Sequence, residues 1–109
     1  ESSQKIFEKL LSNENIDIIK CNTGKSCLEK IRNKEKYDLI FIDETVGVMT
    51  AKEVIVKLKE IKNFNIPVIL LTKDTNIEYS SEYQTDGFTT YLIKPINRSL
   101  LLNIINKYL

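Results

Sequence analysis

Three short runs of consecutive apolar residues constrain this chain more than anything else in it: Leu39-Ile40-Phe41-Ile42, Val68-Ile69-Leu70-Leu71 and Tyr91-Leu92-Ile93. None alternates with polar residues as a half-wet strand would, so each reads as a parallel strand covered on both faces. Each run also ends in a polar group: Asp43, Thr72 and Lys94-Pro95. Open parallel sheets place ligands beyond the carboxyl ends of their strands. One site holding a carboxylate, a hydroxyl and an ammonium, from Asp43, Thr72 and Lys94, is the first expectation.

Helical patterns separate these runs. Ile6, Phe7, Leu10 and Leu11 form an amphipathic stripe after Ser2-Ser3, and Ile16 to Cys21 reads as a further strand. Cys27, Leu28 and Ile31 mark a short helix ending near Asn33. Thr50-Ala51-Lys52-Glu53 has capping-box spacing, in which the Thr hydroxyl and Glu carboxylate satisfy free N–H groups at a helix start. The helix it opens carries Ala51, Val54, Leu58 and Ile61 on one face and stops at Asn63 to Asn65. Thr75-Asn76-Ile77-Glu78 repeats the spacing before a weakly apolar segment, so the helix there should be the least firmly held. Gly87 permits positive φ before a strand from Phe88 to Ile93, and Asn97 caps a last helix from Arg98 with Leu101, Ile104, Ile105 and Tyr108 inward. Four strands alternating with five helices predict crossover connections and an open parallel sheet with helices on both faces.

Composition excludes several functions. A 109-residue chain is expected to be a single domain, residues 1–109, and a formal net charge of +1 from scattered lysines does not favour nucleic acid. The longest apolar stretch, Ile66 to Leu71, is far short of the ~20 residues a membrane helix needs, so the expected setting is cytoplasmic, with no membrane partner. The absence of histidine removes the commonest general base and metal ligand. Cys21 and Cys27 match no zinc or redox spacing and read as packed free thiols. Gly24-Lys25-Ser26 imitates part of a P-loop, but Ile19 stands where that motif needs its first glycine.

The trio of strand ends, with the tract Asp86-Gly87-Phe88-Thr89-Thr90-Tyr91-Leu92-Ile93-Lys94-Pro95, resembles the response-regulator receiver domain of two-component systems, a flavodoxin-like fold of strand order 2-1-3-4-5. The resemblance spans the whole chain. It implies that Asp43 is the phosphoacceptor, that Thr72 and Lys94 bind the phosphate, and that Tyr91 is an aromatic switch. It further implies a cis Lys94-Pro95 bond and a Mg²⁺ held by Asp43, the backbone carbonyl of Thr45 and an acidic pair ending the first strand. The implied partners are a histidine kinase or phosphotransfer protein, supplying phosphohistidine, and a downstream protein or output domain.

Two features depart from the pattern. Counting back from Leu10-Leu11 puts the acidic pair and the first strand just ahead of Glu1, outside this sequence, leaving Glu1 or Glu44 as substitute carboxylates. Gly47 and Thr50-Ala51 stand where receivers usually carry a proline and an Asp-Gly pair, which predicts a softer loop after Asp43. Two rival readings follow. One is a receiver-like interaction module that never takes phosphate. The other is a haloacid-dehalogenase-type phosphatase, whose second aspartate would fall at Thr45. The leading expectation is a signalling domain and not an enzyme.

Overall fold

A computed structural model of the chain describes residues 3–12, 14, 16, 18, 19, 21, 23–33, 36–46 and 48–109. In chain order the elements are α1 (Ser3–Leu10), α2 (Gly24–Arg32), β1 (Ile40–Asp43), β2 (Thr45–Val46), β3 (Met49–Thr50), α3 (Ala51–Lys59), β4 (Val68–Thr72), a 3₁₀ turn (Ile77–Tyr79), α4 (Glu82–Asp86), β5 (Thr90–Ile93) and α5 (Arg98–Tyr108). Strands β1, β4 and β5 form a parallel sheet in that order, the open α/β architecture anticipated above. Its registers run Ile40 with Val68 through Asp43 with Leu71, and Ile69 with Thr90 through Thr72 with Ile93.

The unalternating apolar runs are explained by what covers them. Val68 and Leu70 of β4 face a cluster with Leu28 of α2 and Val54, Ile55 and Leu58 of α3. Ile69 and Leu71 face the opposite cluster, with Phe7 of α1 and Leu101 and Ile105 of α5. A strand sandwiched in this way has no wet face. Phe7 adds an edge-on contact with Phe41 of β1 at 4.8 Å between ring centroids. Arg98, at the start of α5, donates to the Leu10 carbonyl at 3.0 Å and pairs with Glu14 at 2.9 Å, tying the end of α1 to α5.

The helix boundaries follow their capping chemistry. Thr23 accepts the Ser26 N–H at 3.0 Å, so Gly24-Lys25-Ser26 is simply the first turn of α2. Gly24 is required by proximity: a Cβ there would lie 2.7 Å from Met49 Sδ and 2.9 Å from Val54 Cγ2. At α3 both halves of the capping box form, Glu53 N–H to Thr50 Oγ1 at 3.2 Å and Thr50 N–H to Glu53 Oε1 at 3.0 Å. Asn97 accepts the Leu100 N–H at 3.1 Å to start α5. Gly87 ends α4 with φ of 114°, a conformation side chains with a Cβ resist.

Five expectations need correction. No strand forms at Ile16, Ile18, Ile19 or Cys21, and residues 15, 17 and 20 lie outside the described set. Ile16 and Ile18 still pack on the α1–α5 cluster, but a strand exists only through a ladder, and no described segment pairs with this one. Ile6 is 36% exposed, on the rim of the α1 stripe. The segment after Asp43, expected as a loop, carries an antiparallel ladder, Thr45 opposite Thr50 and Val46 opposite Met49, with Gly47 outside the described residues. The second capping box does not form: the 3₁₀ turn starts at Asn76 without a side-chain cap, after a turn in which Asp74 accepts the Asn76 N–H at 2.9 Å and the Ile77 N–H at 3.4 Å, and the weak helix breaks into that 3₁₀ turn and the five-residue α4. Finally, the strand expected from Phe88 begins at Thr90, because the Phe88 N–H is taken by the Tyr83 carbonyl of α4 at 3.0 Å.

The capping box yields a direct test. Thr50→Ala should lower unfolding stability by about 1 kcal/mol, read by urea denaturation. Hydrogen bonds from the Thr50 backbone and side chain hold the Glu53 carboxyl below its ordinary value of 4.5. The folded state therefore gains from this group above pH 4.5, and the gain fades as pH falls below it. In the Thr50→Ala variant that acid-side slope should flatten in part, because alanine keeps the backbone N–H that Glu53 Oε1 accepts.

Candidate functional site

The parallel registers decide which side chains meet. Asp43 is the last residue of β1 and Thr72 the last of β4, while Lys94 follows β5, its N–H donating to the Thr72 carbonyl at 2.7 Å. All three therefore stand at one carboxyl edge of the sheet. Lys94 Nζ forms an ion pair with Asp43 Oδ1, the two side chains being 26% and 30% exposed. The Lys94–Pro95 bond is cis.

Thr72 joins this edge as the last residue of β4. It is 1% exposed, and its Oγ1 accepts the Asp74 N–H at 3.0 Å. Glu44, next to Asp43, places Oε1 on the Lys73 N–H at 2.9 Å, so it is not a spare carboxylate of the kind anticipated. Thr45 sits in the hairpin, paired across to Thr50. Glu1 lies outside the described residues.

Tyr91 projects from β5 on the side of α4, half-buried, with its ring edge-on to Tyr83 at 5.2 Å between centroids. Burial pushes its phenol above the ordinary 10.0, helped by the charge of Glu78 and by Tyr83. A cleft of about 140 Å³ opens beside it, lined by Leu70, Thr72, Ile77, Tyr83 and the carboxylates of Glu44, Asp74, Glu82 and Asp86. Lys52 of α3 reaches Asp86 at 3.7 Å and offsets part of that charge. Thr72 and the partner of Tyr91 thus border one space. No sequence spacing links Tyr83 to Tyr91.

Neither thiol belongs to the edge. Cys21 and Cys27 form no disulfide, and burial, with a smaller effect of Cys21, pushes the Cys27 thiol up to about 11, which leaves it a poor nucleophile. Among the described residues no group of three or more acidic, cysteine or histidine side chains converges as a metal site. Asp43 is held by Lys94 and Glu44 by a backbone N–H. Mg²⁺ demands near-octahedral oxygen ligation. The described donors by themselves do not complete such a set.

The sequence profile of the response regulator receiver domain matches residues 1–106, and the chain belongs to that family. It is 32% identical over 106 residues to the transcriptional regulatory protein ZraR of Escherichia coli K12, covering 95% of this chain and 23% of that protein. The chain thus spans about a quarter of that relative's length. The fold overlays the chemotaxis response regulator CheY4 of Vibrio cholerae with a TM-score of 0.85 at 25% identity, over 98% of this chain and 89% of that one. It also overlays the receiver domain of the sensor histidine kinase PA1611 of Pseudomonas aeruginosa, described with magnesium in its active-site cleft. There the TM-score is 0.81 at 21% identity, over 97% and 87% of the two chains. This chain is a receiver domain of the two-component signalling type. Among the described residues no helix is long and apolar enough to cross a membrane.

The surroundings of Tyr91 are testable by titration. Glu78→Gln should move the Tyr91 phenol down toward 10.0, followed by phenolate absorbance with Tyr91→Phe as the assignment control. Because the folded phenol titrates above its unfolded value, its contribution to stability is present below pH 10.0 and lost as pH climbs past the folded value. An unchanged titration in Glu78→Gln would place Tyr91 away from that charge.

Proposed function

We propose that Asp43 accepts a phosphoryl group from the phosphohistidine of a partner kinase or phosphotransfer protein, and that the modification switches a protein-interaction surface. The observation that carries this reading is the Lys94–Asp43 ion pair at the carboxyl edge. In the transfer, an Asp43 oxygen bonds to phosphorus as the bond from phosphorus to the donor imidazole breaks, and the imidazole leaves with the electron pair. The product is an acyl phosphate bearing about two negative charges, which only nearby cationic and donor groups make tolerable. Lys94 is already placed to neutralise it. Thr72 can donate its hydroxyl proton to the same group, because the Asp74 N–H uses Oγ1 as an acceptor.

Residues 1–109 act in this proposal as one receiver unit. Movement of Thr72 toward the phosphoryl group opens room on the side of α4, where Tyr91 rests on Tyr83. A charge change at one edge thereby biases a packing choice at another surface, read by a downstream protein or output domain. The setting is the cytoplasm, where kinase partners hold their phosphohistidine. Mg²⁺ is the cation the family implies, with Asp43 and the Thr45 carbonyl as its ligands here and further oxygen donors required beyond the described residues.

A second reading, a phosphorylation-independent interaction module, is favoured by one observation, the incomplete metal donor set among the described residues. Incubation with acetyl phosphate and Mg²⁺ followed by intact mass separates the two. The phosphoacceptor reading expects one added phosphoryl group in the native chain and none in Asp43→Asn. No addition, or an addition that persists in Asp43→Asn, overturns it. Steady turnover of a phosphomonoester would instead indicate a phosphatase.

A further inference from the structure

The ladder between β1 and β4 ends in an unusual way. Ile40 N–H donates to the Pro67 carbonyl at 3.0 Å and Glu44 N–H to the Leu71 carbonyl at 3.2 Å, in register with the pairing of Asp43 and Leu71. One step further, a parallel ladder would send the Lys73 N–H to the Glu44 carbonyl. That carbonyl is already used: it accepts the Ala51 N–H at 2.8 Å, at the start of α3. The Lys73 N–H goes to the Glu44 carboxylate instead, at 2.9 Å. The next donor, the Asp74 N–H, is held by Thr72 Oγ1 at 3.0 Å. Both backbone donors that follow Thr72 are therefore spent on side-chain oxygens of the chain itself, one of them an anion.

We propose that Glu44 is a resident anion that holds, in the unphosphorylated chain, the Lys73 N–H that a phosphoryl group on Asp43 takes over. This rests on Asp43 being the acceptor. When acetyl phosphate is the donor, the Asp43 oxygen–phosphorus bond forms, the donor's acyl oxygen–phosphorus bond breaks, and acetate leaves with the electron pair. The new group brings about two negative charges to the residue beside Glu44. Two anions cannot share one donor set without repulsion, and the more highly charged one makes the stronger charge-assisted bonds. Glu44 is exposed, so it can swing into water at little desolvation cost. Its carboxylate consequently slows uptake and favours return to the unmodified state. It acts as a positioning residue that touches neither donor nor phosphorus.

The test compares the native chain with Glu44→Ala, which removes charge and acceptor, and Glu44→Gln, which keeps an acceptor without charge. Phosphoryl uptake from acetyl phosphate is followed by intact mass with Mg²⁺ in the buffer, Tm is measured in parallel, and the Lys73 amide resonance is recorded with and without beryllofluoride. Loss of one exposed like charge should speed uptake roughly two- to fivefold in Glu44→Ala, with Glu44→Gln between it and the native chain. The Lys73 amide should shift in Glu44→Ala, and in the native chain on adding beryllofluoride. Equal uptake in all three chains overturns this inference while leaving Asp43 as the acceptor. Slower uptake that tracks a lower Tm assigns Glu44 to the fold alone and overturns it too, as does a Lys73 amide indifferent to beryllofluoride. If no chain takes a phosphoryl group, the Asp43 reading fails and this inference with it.

Discussion

Parallel pairing of β4 with β1 on one side and β5 on the other is the constraint from which the site follows. The registers bring Asp43 level with Leu71 and Thr72 level with Ile93, so the carboxyl ends of three strands finish at one edge. Lys94 then needs no long-range search to meet Asp43, because its backbone is already hydrogen-bonded to Thr72. Such pairing is slow to nucleate and costly to interrupt, and it is held here by apolar clusters on both faces of β4. The ion pair at the edge is a consequence of the core.

The same edge shows how a signalling site can be quiet before modification. Lys94 is neutralised by Asp43, Thr72 is bonded to its own loop, and the β2–β3 ladder pairs Thr45 with Thr50 just after Asp43. Each of these contacts is local and polar, whereas the cluster beneath is apolar and closely packed. A new charge on Asp43 can rearrange the first set without disturbing the second, and local rearrangement over a rigid base is what a switch requires. The cleft between β4 and α4 supplies space for that movement, and the shortness of α4 leaves its surface lightly anchored.

Much of this was legible in the sequence. Unalternating apolar runs gave parallel strands, the Thr50–Glu53 spacing located α3, and polar residues at the three strand ends marked the edge where Asp43 and Lys94 do meet. The features that escaped depend on contacts between distant residues or on competing local bonds. Thr75 to Glu78 has the spacing of a capping box, yet the turn around Asp74 starts the short 3₁₀ helix one residue later, at an uncapped Asn76. The segment Ile16 to Cys21 has strand-like residues, but residue type cannot supply a ladder partner. The hairpin after Asp43 did have a signal, since β-prone Thr45-Val46 and Met49-Thr50 flank two residues of which the first is glycine. The Tyr83–Tyr91 contact and the turn of Glu44 toward Lys73 had none.

The most direct measurement of the central claim is the position of a phosphate mimic. A crystal structure of the chain with beryllofluoride is predicted to show it bonded to an Asp43 carboxylate oxygen, with the Lys94 ammonium and the Thr72 hydroxyl within hydrogen-bonding distance of its fluorine atoms. Beryllofluoride bound elsewhere, or bound at Asp43 with neither Lys94 nor Thr72 within hydrogen-bonding distance of it, would contradict the account.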